Sequence, residues 1–266
     1  MPVVEALNPL ERLLVPEIFR FLLELTRISG VIVIVPLAWS AAPVRFRIAL
    51  TLLLGVVVHG MTTVSPEFRG PVDAAAAVVT EFTVGLAFGF VVKLALSIGE
   101  VVGDIVTPAM GLGAAQIFDP LSHVTHAVIT TMLRYFTTLV ALLLGLHRIV
   151  LGGLIESFKI LPVAGFWDVS KGWPTILYLS AELLSCSVRI ALPILAVLFI
   201  TNLALAFVAR AAPQIQVFSV GFAFTLAIGL LILVLVLPDL AYQLGADFSH
   251  VGRRLETLLS AIGATT

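Results

Sequence analysis

The sequence predicts an all-α, polytopic, membrane-associated helical protein, and three observations carry that expectation. Hydrophobic residues make up 60% of the 266-residue chain and charged residues 12%, whereas soluble domains carry about 25% charged residues. Several apolar runs approach the ~20 residues that cross a ~30 Å hydrocarbon core. Between and after them stand helix signals: caps, prolines in first turns, and a tail whose apolar residues recur at steps of three and four. Mean hydropathy is +1.14. Too few charges remain to clothe a soluble particle of this size, which excludes an ordinary cytosolic enzyme and a disordered chain. A net charge of −1 and a pI near 6.5 offer no basic field for phosphates, so no nucleic acid is expected as a partner. The single cysteine, Cys186, excludes an internal disulfide framework, and no zinc-ligand spacing is present.

Met1–Arg12 lacks a basic leader and a small-residue cleavage motif, so the first apolar segment is expected in the mature protein. Asn8-Pro9-Leu10-Glu11 reads as a helix start, interrupted at Pro16 and resumed through Phe19–Ile28 into the apolar stretch Gly30–Trp39. Ser40–Arg47 is expected as a short basic connection, followed by the apolar run Ile48–Met61. Ala74–Ile98 is long enough to span a bilayer but contains Glu81 and Lys93. Gly99–Thr125, rich in Gly, Pro and Asp, is expected to be a loop. Ala127–Leu146 is a further span, and His147–Trp173 is broken by Gly152-Gly153, Pro162, Gly165 and Pro174. Leu177–Val208 reads as a long helix kinked at Pro193, turned at the polar elbow Arg210–Gln216 into Val217–Leu237. So short an elbow makes the two an antiparallel hairpin. In the tail, Leu244, Phe248, Val251, Leu255, Leu258 and Ile262 form one apolar stripe, expected to lie on a membrane or on a partner. Charge bias in the loops gives no consistent orientation.

The polar constellations each have a structural and a functional reading. Arg20, Glu24 and Arg27 share one helix face; a self-paired cluster is preferred to a proton relay. Glu81 and Lys93 stand about 18 Å apart along a helix, so each needs another partner. Gly85 and Gly89, like Gly99 and Gly103, form small-xxx-small faces that admit a close second backbone. Gly111-Leu-Gly113-Ala-Ala-Gln116 lacks the third glycine and the strand context of a dinucleotide loop. Asp119, His123 and His126 have metal-ligand spacing, but Asp119-Pro120 is better explained as a cap and first-turn pair. Cys186 is expected as a small core hydrophobe. No set supports catalysis, and no cofactor or metal is expected.

Four stretches in order resemble the FliR family of flagellar export-gate proteins and its injectisome counterpart. They are Arg27 to Pro36, followed by Pro43 and Arg45; Glu81-Phe-Thr-Val-Gly85-Leu-Ala-Phe-Gly89 leading to Gly99-Glu100; Met110-Gly111-Leu112 continuing to Phe118-Asp119-Pro120; and Asn202 through Arg210-Ala-Ala-Pro213-Gln214 to Gly221-Phe222. Gly113 and Ala114 depart from the family pattern, and the Glu100–Met110 interval is longer.

The resemblance implies a FliP-like N-terminal part over residues 1–176 and a FliQ-like hairpin with its amphipathic tail over 177–266, together completing a helical ring. It implies FliP-, FliQ-, FlhA- and FlhB-like partners, contact with membrane lipid, and a place in the bacterial inner membrane at the flagellar or injectisome basal body. Unfolded export substrates would pass a plug within about 99–125 that carries Met110, Gly111, Gly113, Phe118, Asp119 and Pro120. Arg27, Pro36, Glu81, Gly85, Gly89, Gly99, Glu100, Arg210, Pro213 and Gly221 would serve helix packing and assembly. A secondary transporter or small-solute channel is the alternative, since it also tolerates charges in spans; it expects similar halves, which this chain lacks.

Overall fold

The computed structural model describes residues 9–36, 42–61, 70–112, 128–165, 167–211 and 217–264, and among them no strand occurs. The helices are α1 (Pro9–Ile34), α2 (Val44–His59), α3 (Pro71–Leu96), α4 (Ile98–Ala109), α5 (Val128–Leu143), α6 (Leu146–Ile160), a 3₁₀ turn (Val169–Gly172), α7 (Trp173–Ala211) and α8 (Val217–Gly263). Among the described residues three segments are long and apolar enough to cross a membrane, or up to four if α5 and α6 count as one broken span. The fold is therefore all-α and polytopic. The chain divides into two compact units: Met1–Leu94 with Gly145–Leu179 and His250–Thr266, and Ala95–Leu144 with Ser180–Ser249.

In the first unit α1 lies against α2 and α3, with Leu23, Ile28, Val84, Phe88 and Val92 in its core. Glycine sets the closeness of α1 and α3. A Cβ on Gly30 would come within 2.7 Å of the Phe82 carbonyl oxygen, and one on Gly85 would run into the Arg27 carbonyl. On Gly89 it would reach 3.2 Å from the Val31 backbone. The small-xxx-small face of α3 thus packs on α1 of the same chain. Asp168 caps the 3₁₀ turn, and the Ser170 hydroxyl and amide N–H hold its carboxyl below the usual range.

In the second unit α4 packs along α5. The glycines again mark the contact, since a Cβ on Gly103 would lie 2.5 Å from Thr130 Cα, and one on Gly99 would strike the Thr137 hydroxyl. The α7–α8 pair is an antiparallel hairpin whose register is shown by Thr225 Oγ1 donating to Asn202 Oδ1 at 3.3 Å. That pairing places Arg189 level with Pro238 and Asp239. Residues 190–209 and 217–238 contain no Asp, Glu, Lys or Arg. At 1.5 Å per residue each segment is about 30 Å long, the depth of a hydrocarbon core. Their outward side chains are apolar and exposed, Phe199 at 70%, Ile200 at 64% and Leu235 at 65%.

Several local expectations are corrected. Pro16 lies inside α1 without ending it; its missing N–H removes one hydrogen bond, which the rest of a 26-residue helix absorbs. The basic connection is shorter than expected because α2 begins at Val44, next to Pro43. Gly99–Ala109, expected to belong to the plug loop, is helix α4, since its glycines serve contact with α5 rather than chain freedom. Gly152 and Gly153 do not break α6. Pro193 lies inside α7, as expected, whereas the helix expected to end at Leu237 continues through Pro238 as α8. The apolar stripe of the tail does not await a partner: Leu244, Phe248, Val251, Leu255, Leu258 and Ile262 are all buried within the chain itself, as the last turns of α8. A Cβ on Gly172 would lie 3.0 Å from Leu258 and Ile262, and one on Gly263 3.0 Å from Leu161. Cys186 is half-buried rather than central.

Because the Gly85 Cα faces a carbonyl oxygen with no room for a methyl group, overpacking there should cost about 1–3 kcal/mol or more. Gly85→Leu is expected to lower accumulation and protease resistance of the chain in membranes. Resistance equal to the unsubstituted protein would contradict the close approach of α1 and α3.

Candidate functional site

The strongest polar constellation is built by one residue each from α1 and α3. Arg27 is 1% exposed and Glu81 0%, and Arg27 Nε donates to Glu81 Oε2 at 2.6 Å. The approach allowed by Gly30 and Gly85 is what brings these side chains within reach. Two further elements complete the shell. Arg27 Nη1 donates to the Ser157 carbonyl of α6 at 3.0 Å, and the guanidinium lies over the Phe158 ring, 4.4 Å from its centroid. Glu81 Oε1 accepts the Ala164 N–H at 3.1 Å. Ala164 holds φ at +65°, a region disfavoured for a residue with a Cβ, and the carboxylate bond stabilises that turn. Among the described residues Arg27 Nη2 has no hydrogen-bond partner. Burying two ions costs several kcal/mol each, and the pair with its added bonds offsets that cost. Its chemistry is that of a clamp.

Arg27 therefore does not join Glu24, contrary to the grouping on one helix face. Arg20 instead binds Glu17 at 2.8 Å and stands 3.6 Å from Glu24. The last turn of α2 adds His59, whose Nδ1 is 3.0 Å from Glu24 Oε2, with Phe21 edge-on to its ring. This cluster ties the end of α2 to α1. Sequence reasoning missed His59, Ser157, Phe158 and Ala164, which lie 35 to 131 residues from their partners. The one legible signal was that Glu81 had no partner on its own helix.

The turn after α4 forms a second locus. Met110 is completely buried, and its Sδ and Cε fill the space that a side chain on Gly229 of α8 would occupy. Met110, expected among the soft side chains of a plug, is here packed against Gly229 of α8. Gly111 takes φ of +82° beside the Phe222 ring, a conformation open to glycine at little cost. Thr130 of α5 donates to Asp104 of α4 at 3.0 Å. Glu100 lies in the first turn of α4, where a carboxylate complements the helix dipole. Arg210 lies exposed in the last turn of α7, where a cation does the same.

Pro36 is half-buried just beyond α1, and Gly221 is buried in α8. Gly113, Phe118, Asp119, Pro120, His123, His126 and Pro213 lie outside the described residues. Among the described residues no group of three His, Cys, Asp or Glu could hold a metal ion.

Residues 18–251 match the family described as bacterial export proteins, family 1. The flagellar biosynthetic protein FliR of Aquifex aeolicus (strain VF5) is 29% identical over 220 residues, covering 82% of this chain and 85% of the relative. That of Escherichia coli (strain K12) is 27% identical over 184 residues, 69% of this chain and 70% of the relative. That of Bacillus subtilis (strain 168) is 25% identical over 250 residues, 92% and 96% respectively.

Breaking the clamp from one side should be costlier than removing it. Arg27→Met or Glu81→Gln leaves a buried charge or polar group unmatched and should destabilise by about 3–5 kcal/mol. The double variant should be markedly less destabilised than the sum of the two singles. Thermal unfolding in detergent measures all three. Additive losses would show that the two side chains act independently.

Proposed function

The chain belongs to bacterial export proteins, family 1, the family of the flagellar FliR proteins, and on that premise we propose that it is a structural subunit of the flagellar protein-export gate. The observation that carries the reading is the family match, which takes in the helices from within α1 to within α8. On this reading residues 1–176 are the FliP-like part and 177–266 the FliQ-like hairpin of a helical ring. The neighbours are FliP- and FliQ-like subunits with FlhA- and FlhB-like proteins, and unfolded substrates pass through the shared pore. The protein holds and gates the path, with no catalytic step of its own.

Physical features support a subunit rather than an isolated transporter. Many large apolar side chains are exposed on α2, α7 and α8, including Leu53 at 63% and Phe207 at 66%. Such surfaces need lipid or protein against them. The two 30 Å uncharged segments fit a bacterial inner-membrane crossing, with Arg189 and Asp239 at one boundary and Arg210 at the other. Tyr242, highly exposed one turn past Asp239, suits the headgroup level.

Gating falls to the segment after Met110. The buried Met110 and the left-handed Gly111 give that segment a fixed root. From it residues 113–120, with Phe118 as bulk and Asp119-Pro120 as the far anchor, would close the pore to ions.

A tagged chain should purify in a stable complex with FliP- and FliQ-like subunits. A stable, monodisperse chain purified alone would favour the transporter reading. Deleting residues 111–116 should leave the complex assembled but raise small-solute uptake in cells. Assembly without added leak counts against the plug, and so does leak seen only where assembly fails.

A further inference from the structure

Between α6 and the last turns of α8, wholly within the first compact unit, runs a groove of about 300 Å³. It is lined by the buried Leu255 and Leu259 at its bottom, by Gly152 and Gly252, and by Glu156 and Glu256. On each helix the lining residues fall at steps of three and four, so the groove follows both helices for about two turns.

Gly152 is the informative position. A glycine inside a helix costs about 0.5–1 kcal/mol relative to alanine. Its neighbours in the groove are explained by packing: a Cβ on Gly153 would lie 3.2 Å from Leu255, and one on Gly252 3.5 Å from Ile149. A Cβ on Gly152 would meet nothing within 4 Å. Among the described residues nothing requires that side chain to be absent. What it leaves open is space on the outer side of the groove.

The charge of the lining selects what enters. Glu156 holds Lys159 at 2.8 Å. Glu256 makes no ion pair among the described residues, so the groove keeps one carboxylate open to a further cation above its leucine floor. Lysine and arginine match that pair of features, with an apolar stem for the floor and a cation for the carboxylate. A third helix packs its ridges into the furrow between two others, and this groove follows two helices for about two turns.

We propose that this groove is the seat of a partner helix that inserts a lysine or arginine stem over Gly152 and brings its cation to Glu256. The proposal rests on the reading of the chain as a subunit of a larger assembly. The test uses the tagged full-length chain in its native membranes, with Gly152→Leu, Glu256→Lys and Glu256→Gln. Gly152→Leu should keep the protease resistance of the chain, because the added side chain meets open space. It should nonetheless reduce the recovered complex at least tenfold. Glu256→Lys should reduce it comparably and Glu256→Gln less. Recovery at the unsubstituted level with Gly152→Leu overturns the seat. Loss with Gly152→Leu but none with Glu256→Lys overturns the cationic partner, and a protease-sensitive Gly152→Leu chain overturns the premise of an empty face. An unsubstituted chain that purifies alone overturns the assembly reading itself, a result distinguishable from the others.

Discussion

The buried pair of Arg27 and Glu81 is the constraint on which the first compact unit depends. Two ions with almost no solvent contact are stable only if every neighbouring element stays in place. The pair reaches α6 through the Ser157 carbonyl and the Phe158 ring, and the following turn through the Ala164 amide. It can form only because Gly30 and Gly85 let α1 and α3 approach to backbone contact. Glycine sets the distance, and the charges select this packing over its alternatives. A slide of either helix by one turn would leave both ions buried and apart.

The second unit is organised by a softer version of the same device. Gly99 and Gly103 bring α4 against α5, but the polar groups at that seam are hydroxyls and one exposed carboxylate, Asp104. Beyond α4 the chain is rooted by a buried methionine and turned by a left-handed glycine.

Exposure on the two long helices follows from the same economy of polar groups. The hairpin buries Thr201 and Thr225, the latter donating to Asn202, and sends phenylalanine, leucine and isoleucine outward. In water that pattern would be a liability. Against lipid, or against the helices of other subunits, it is the surface through which the chain joins its surroundings.

The sequence by itself determined the class of the protein. Composition forced the membrane reading, the short elbow forced the hairpin, and motifs from Arg27 to Phe222 pointed to the family that residues 18–251 match. Each of these is a local or summed property, written in neighbouring residues. Tertiary structure decided the rest. That Glu81 is answered by Arg27, and that His59 closes the cluster around Glu24, joins residues 54 and 35 positions apart, and no periodicity encodes such distances. Glycines in 99–109 looked like loop residues because spacing cannot tell backbone freedom from backbone contact. The amphipathic stripe from Leu244 to Ile262 was legible as a stripe, but its periodicity states only that one face avoids water. Whether lipid, a partner or the chain's own helices cover that face depends on where the preceding 240 residues have placed them, and here they cover it themselves.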